Sequence, residues 1–177
     1  MEWLWLLVAV LVLGLGAVFM SWTAGRVDRL HHRVEKARAV LDAALFHRSG
    51  TAVEIASAGI MDPATSLLLL DAGHGARASA AADRELAESD LSRALVAAFA
   101  DAEEVDDLRA DCGARELLDE LGNACRSVEL SRRFHNDVVA SARALRSRRV
   151  VRWFGLAGHA PLPQTAELDD SWPPALT

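Results

Sequence analysis

Tyrosine is absent from this chain of 177 residues, only two cysteines occur, and the five prolines are confined to position 63 and to the stretch after position 160. Without glycine or proline punctuation every ten residues or so, a sheet-rich fold is disfavoured and long helices are expected. A basic surplus is also missing. The 19 Lys and Arg against 25 Asp and Glu leave a net charge of −6, which argues against a nucleic-acid partner. Cys112 and Cys125 lack metal-ligand spacing; on one helix they stand about 20 Å apart, too far to bridge, and read as reduced, half-buried thiols. There is no Ser, His and acid arrangement, no phosphate-cradling glycine loop and no nucleotide fingerprint. No catalytic, cofactor-binding or metal-binding residue is therefore assigned, no cofactor is implied, and an enzyme is not expected.

What the chain does have is an uncharged run from Trp3 to Gly25. As a helix it is roughly 34 Å long, enough to cross a hydrocarbon core of about 30 Å. Trp3, Trp5 and Trp22 fall where indole rings favour the headgroup level, and Arg26, Arg29, Arg33, Lys36 and Arg38 follow at once. This asymmetry predicts a single-pass signal anchor in the cell membrane, N-terminus outside and the rest cytoplasmic, with the lipid bilayer as the partner of residues 3–25. A cleaved secretory signal is the weaker reading, because Glu2 stands where Lys or Arg is needed and the apolar run continues through Val18, Phe19 and Met20. Ala17, Ser21 and Gly25 form a small-residue stripe that would admit a second copy of the helix, and so a homo-oligomer. The same residues are ordinary in any membrane helix.

Beyond the anchor, residues 26–155 suffice for one cytoplasmic domain. Val27, Leu30, Val34, Ala37, Leu41 and Ala44 keep helical spacing, so the anchor is expected to continue as a helix over 26–58, with Arg48, Ser49 and Gly50 interrupting its apolar stripe. Gly59 suits a C-cap, and Asp62-Pro63 a new helix start. One helix over 63–100, kinked near Gly75, and a last over 113–149, joined by an acidic connector from Asp101 to Asp111, complete the prediction. The expected fold is all-α: a transmembrane helix continuing into an antiparallel bundle of three long helices, coiled-coil-like in its heptad spacing, with the acidic connector meeting the basic start of the first helix. If the glycine break is a full turn, there are four helices and the C-terminus returns toward the membrane. The tail, 156–177, is Pro-rich and read as extended or disordered.

Within the last helix, Val128-Glu129-Leu130-Ser131-Arg132-Arg133-Phe134-His135-Asn136-Asp137-Val138-Val139 resembles the signature of LemA family proteins, in which an Arg precedes a Tyr-Asn-Asp-x-Val unit. Arg132, Asn136, Asp137 and Val139 match, and His135 stands in place of Tyr. Val40-Leu41-Asp42 with Leu45-Phe46-His47-Arg48 is similar to that family's Ile-Asp-x-x-Leu-x-x-Arg-Arg segment, Ser49 replacing the second Arg. Ala87 to Leu95 and Phe154-Gly155-Leu156 look like two further blocks. The resemblance implies a divergent member: a membrane-anchored, N-out helical bundle without established enzymatic activity, in which these positions are structural or mediate interaction.

Remaining chemistry is weighed against plainer roles. His31 and His32 with Glu35 are a pair rather than a converging metal set, and read as a solvated helix face. His135 on the apolar stripe is a half-buried histidine before it is a pH sensor. Arg146, Arg148, Arg149 and Arg152 with Trp153 and Phe154 are of the type that touches anionic lipid, but three long helices would carry them to the far end of the bundle. The leading functional expectation is an interaction or scaffold module with an unidentified protein partner. A signal-relay module is the alternative, and a membrane-tethered hydrolase the minor one.

Overall fold

The computed structural model describes residues 2–80, 82–154 and 161–176. It is all-helical, with six α-helices and no strand among the described residues: α1 Glu2–Ser57, α2 Pro63–Ala78, α3 Arg84–Ala98, α4 Ala102–Leu108, α5 Cys112–Arg146 and α6 Arg149–Trp153. Gly155 and Leu156, quoted above for the resemblance, lie outside the described residues. The chain divides into two compact units, one of residues 1–37 and 136–165, the other of 38–135 and 166–177.

In the first unit, α1 carries the apolar run as a helix long and apolar enough to cross a membrane, none of whose most apolar window is buried. Trp3, Trp5 and Trp22 are all exposed, as are Leu4, Leu11, Leu15 and Phe19. The first buried side chain along α1 is Thr23, whose hydroxyl donates back to the Phe19 carbonyl at 2.8 Å. Lateral packing thus begins one residue past Trp22. Ala37 is buried at the other end of this stretch, and Val138, Val139, Ala142, Leu145 and Val151 supply the buried side chains of α5 and α6 in the same unit.

In the second unit, α1 ends where Gly59 takes the left-handed backbone (φ 70°) that only glycine adopts freely. Asp62 then caps α2, accepting from the N–H groups of Ala64 and Thr65 at 2.9 and 3.1 Å, and hydrogen bonding from the Thr65 side chain, with these backbone bonds, holds its carboxyl below the usual range. The stretch expected as one helix over 63–100 is two, and the break is at 79–83 rather than at Gly73 or Gly75. Gly73 serves a different purpose: a Cβ there would lie 2.7 Å from the Val53 side chain, so the missing side chain is what lets α2 approach α1. α2 and α3 pack against each other.

One apolar core gathers Ala52, Ile55 and Ala56 of α1, Leu69 and Ala76 of α2, Leu91, Ala94 and Leu95 of α3, Phe99, Val105 of α4, and Leu118, Leu121 and Cys125 of α5. A smaller cluster joins Leu41, Ala44 and Leu45 to Val128. Val105 places the acidic connector in the core of the Ala52–Ala56 turn. Arg38 is some 25 Å back along α1 from that turn.

The segment 161–173 has no regular secondary structure and ends in a 3-10 turn, Pro174–Leu176. It is nonetheless packed. Ala166 and Leu168 belong to the Leu41 cluster, and Leu176 to the main core. We call residues 166–176 the strap.

Candidate functional site

The polar centre of the second unit is Arg48. It is fully buried, and it falls on the core-facing side of α1, in step with Leu41, Leu45, Ala52 and Ile55. One guanidinium nitrogen, Nη2, donates to the Glu88 carboxylate at 2.9 Å and to the Glu88 carbonyl at 3.2 Å; the other, Nη1, donates to Ser92 Oγ at 2.9 Å. The Ser92 hydroxyl in turn donates to the carbonyl of Asp169 at 2.6 Å, and the Asp169 N–H donates to Ser89 Oγ at 3.0 Å. Arg48 of α1, two turns of α3 and the strap are thereby tied into one network. Burial raises the Glu88 carboxyl above its ordinary value, and the facing Arg48 charge works against that rise.

Two further contacts fix the strap. Arg132 meets the Asp170 carboxylate with two nitrogens, Nε at 2.7 Å and Nη2 at 3.0 Å, the bidentate form that is strongest for this pair. Trp172 Nε1 lies 3.4 Å from a Glu129 carboxylate oxygen while the Arg126 guanidinium sits 5.8 Å from its ring. The Ser171 N–H donates to the Asp169 carboxylate at 2.9 Å, which keeps that carboxyl below its usual range. Finally, the strap crosses α5 at Gly122, where a Cβ would lie 2.7 Å from the Leu176 carbonyl oxygen.

The residues singled out in the sequence therefore separate. Arg132 reaches the strap, His135 and Val139 are buried on α5, Asn136 is half-buried and Asp137 is exposed. At the end of the apolar run the Arg26 guanidinium lies 5.1 Å from the Trp22 ring, and Arg29 is exposed. His31 and His32 are exposed and lie within ion-pair distance of Glu35 and Asp28 on their own helix. No group of three or more metal-capable side chains converges among the described residues. Sequence reading missed Arg48 as a buried centre, taking it for an interruption; its position in the apolar spacing was the available signal. Glu88 and Ser92, in step with Leu91 and Leu95 on α3, carried the same one.

Compared with protein-family models, with curated proteins and with solved structures, the chain matches none. Chemically, the network holds a buried ion pair, in which Arg48 Nε has no hydrogen-bond partner, and hydroxyls bonded to carbonyls. Such groups position helices.

The thiols offer a direct check on core closure. Cys112 is exposed, contrary to the expected half-burial, while Cys125 is buried and its pKa is pushed up to about 11 by that burial. Iodoacetamide at pH 8 is expected to alkylate Cys112 and spare Cys125, because the thiolate is the reacting form. Equal rates, read by peptide mass spectrometry, would mean that the core stands open.

Proposed function

We propose that this protein is a single-pass membrane-anchored helical bundle acting as an interaction or scaffold module, with its second unit in the cytoplasm. The carrying observation is α1 itself, which is bare along its apolar run and packed only from Thr23 onward. The arginine and lysine residues after the run support an N-out orientation. Within the bundle we take α1 and α5 to be antiparallel. Leu41 to Leu45 share a cluster with Val128, whereas Ala52 to Ala56 share one with Leu118 to Cys125, so numbers rise along one helix as they fall along the other. With α2 and α3 as separate helices we favour the four-helix alternative, in which the C-terminus returns toward the membrane, although the break lies at 79–83 and not at the glycines. The resemblance to LemA proteins agrees with this reading, and Arg132 is its most informative position because it holds the strap.

The surface offered to a protein partner is the α2–α3 face. Leu67, Leu68, Leu86 and Val96 are exposed on these two helices, and a groove of about 440 Å³ is lined by Leu68, Ala72 and Ala94 together with Asp71, Asp90 and Arg93. Proximity labelling from a C-terminal ligase in the native cell is expected to mark a small set of cytoplasmic proteins. That set should shrink when Leu67, Leu68 and Leu86 are changed to Ser. An unchanged set would remove the scaffold reading, and labelling of extracytoplasmic proteins alone would reverse the topology.

A relay is the second reading, favoured by the unbroken course of α1 from Glu2 to Ser57, a single helix that carries both the apolar run and Arg48. Two residues inserted after Gly25 would turn one part against the other by about 200°. An unaltered labelling pattern in that variant would exclude the relay.

A further inference from the structure

Charge is divided unevenly between the units. The first, residues 1–37 and 136–165, holds nine Lys and Arg against four Asp and Glu, a net +5; the second holds the remaining ten against twenty-one, a net −11. An acidic protein thus keeps its positive charge in the unit that contains the apolar run. Within that unit Arg143 and Arg146 are engaged, donating to the carbonyls of Pro163 at 2.7 Å and Pro161 at 2.8 Å. Arg148, Arg149 and Arg152 are exposed and form no ion pair among the described residues. Beside them Trp153 is 80% exposed and Phe154 60%, while Val151 is 2% exposed and fastens α6 to the unit. Large bare aromatics next to unpaired arginines are out of place on a surface that faces only water.

On α1 the buried side chains of this unit are Thr23 and Ala37, about 20 Å apart, and on its other segment they run from Val138 on α5 to Val151 on α6. With the two running antiparallel, Ala37 matches Val138 and Thr23 matches Val151. The exposed side chains of α6 then stand level with Trp22, at the end of the apolar run.

We propose that α6 and the turn before it form a second membrane contact, in which Arg148, Arg149 and Arg152 take the phosphates of anionic lipid headgroups and Trp153 and Phe154 enter the headgroup layer. This rests on the anchored, antiparallel reading above. It gives the first unit a two-point attachment to the bilayer. The attraction is to surface charge and so falls away with added salt.

The test uses the full chain reconstituted in bilayers with brominated acyl chains, in neutral phosphatidylcholine or with phosphatidylglycerol added. The contribution of Trp153 is the emission lost in Trp153→Phe. We expect it to be quenched at least about twice as strongly in the anionic bilayer, and to lose that excess in high salt or in the Arg148→Gln, Arg149→Gln, Arg152→Gln variant. Quenching of Trp153 by aqueous acrylamide and not by brominated lipid, while Trp22 remains quenched by the lipid, would overturn the second contact and leave the anchor standing. Failure of Trp22 to be quenched by the lipid would overturn both. Unchanged circular dichroism of the triple variant separates lost contact from lost fold.

Discussion

Changing Arg48 to Ala is expected to destabilise the second unit by about 3–5 kcal/mol, the usual cost of leaving one partner of a buried pair uncompensated. In thermal unfolding followed by circular dichroism in mild detergent, that corresponds to a midpoint lower by roughly 13–22 °C. The orphan would be Glu88, which is almost without solvent, and Ser92 would lose the donor that orients its hydroxyl toward Asp169. The sign of the pH effect follows. A carboxyl whose folded pKa lies above its unfolded value, here 4.5, holds its proton more tightly in the fold, so stability falls as pH rises through that window. Arg48 offsets this in the native chain, and without it the penalty is full. The deficit of Arg48→Ala should therefore be largest at neutral pH and shrink on acidification toward pH 4.5. Replacing both partners, Arg48→Met with Glu88→Leu, removes the charges together and should restore most of the loss. A single Arg48→Ala that unfolds at the native temperature would show that the pair is hydrated in solution.

The second large effect is at Gly122. Substitution by Leu puts a side chain against the backbone carbonyl of Leu176, and backbone cannot yield as a side-chain tip does. Overpacking costs about 1–3 kcal/mol, and the lost burial of Leu176 about 2 more. The end of the strap should be displaced while α5, a better helix without its glycine, stays formed. Hydrogen exchange is the measurement of choice, because the Asp169 and Ser171 N–H groups are bonded in the docked strap. A destabilisation of about 3 kcal/mol speeds exchange of that segment roughly a hundredfold where opening is in fast equilibrium. Protection left intact in Gly122→Leu would mean that the strap is held elsewhere, with Arg132 and Asp170 the first alternative.

These two sites mark what was and was not legible in the sequence. Helical content followed from spacing, and the apolar run from composition, because both are local. Asp62-Pro63 and Gly59 were readable because caps and left-handed turns depend on a few adjacent residues. The division of 63–100 was legible only as an alternative, and at the wrong place. Gly73 and Gly75 are the weak helix formers there, yet α2 runs through both and stops at Ala78 in an alanine-rich stretch. Packing overrode propensity: Gly73 is kept for contact with Val53, and α3 begins where Glu88 and Leu91 can face α1. The strap was unreadable for another reason. Its prolines exclude regular structure but say nothing of docking, and Asp169 and Asp170 find Ser92 and Arg132 only through the fold.

The order of synthesis gives the strap a temporal meaning. Asp169 follows Arg48 by 121 residues, so at common elongation rates the arginine waits on the order of ten seconds for the carbonyl that closes its network. By then the apolar run has long left the ribosome. Every earlier intermediate carries a guanidinium facing a half-built interior, with Leu41, Leu45 and Val128 still uncovered by Ala166 and Leu168. A chain that stalls before the strap is a natural client for a chaperone or protease.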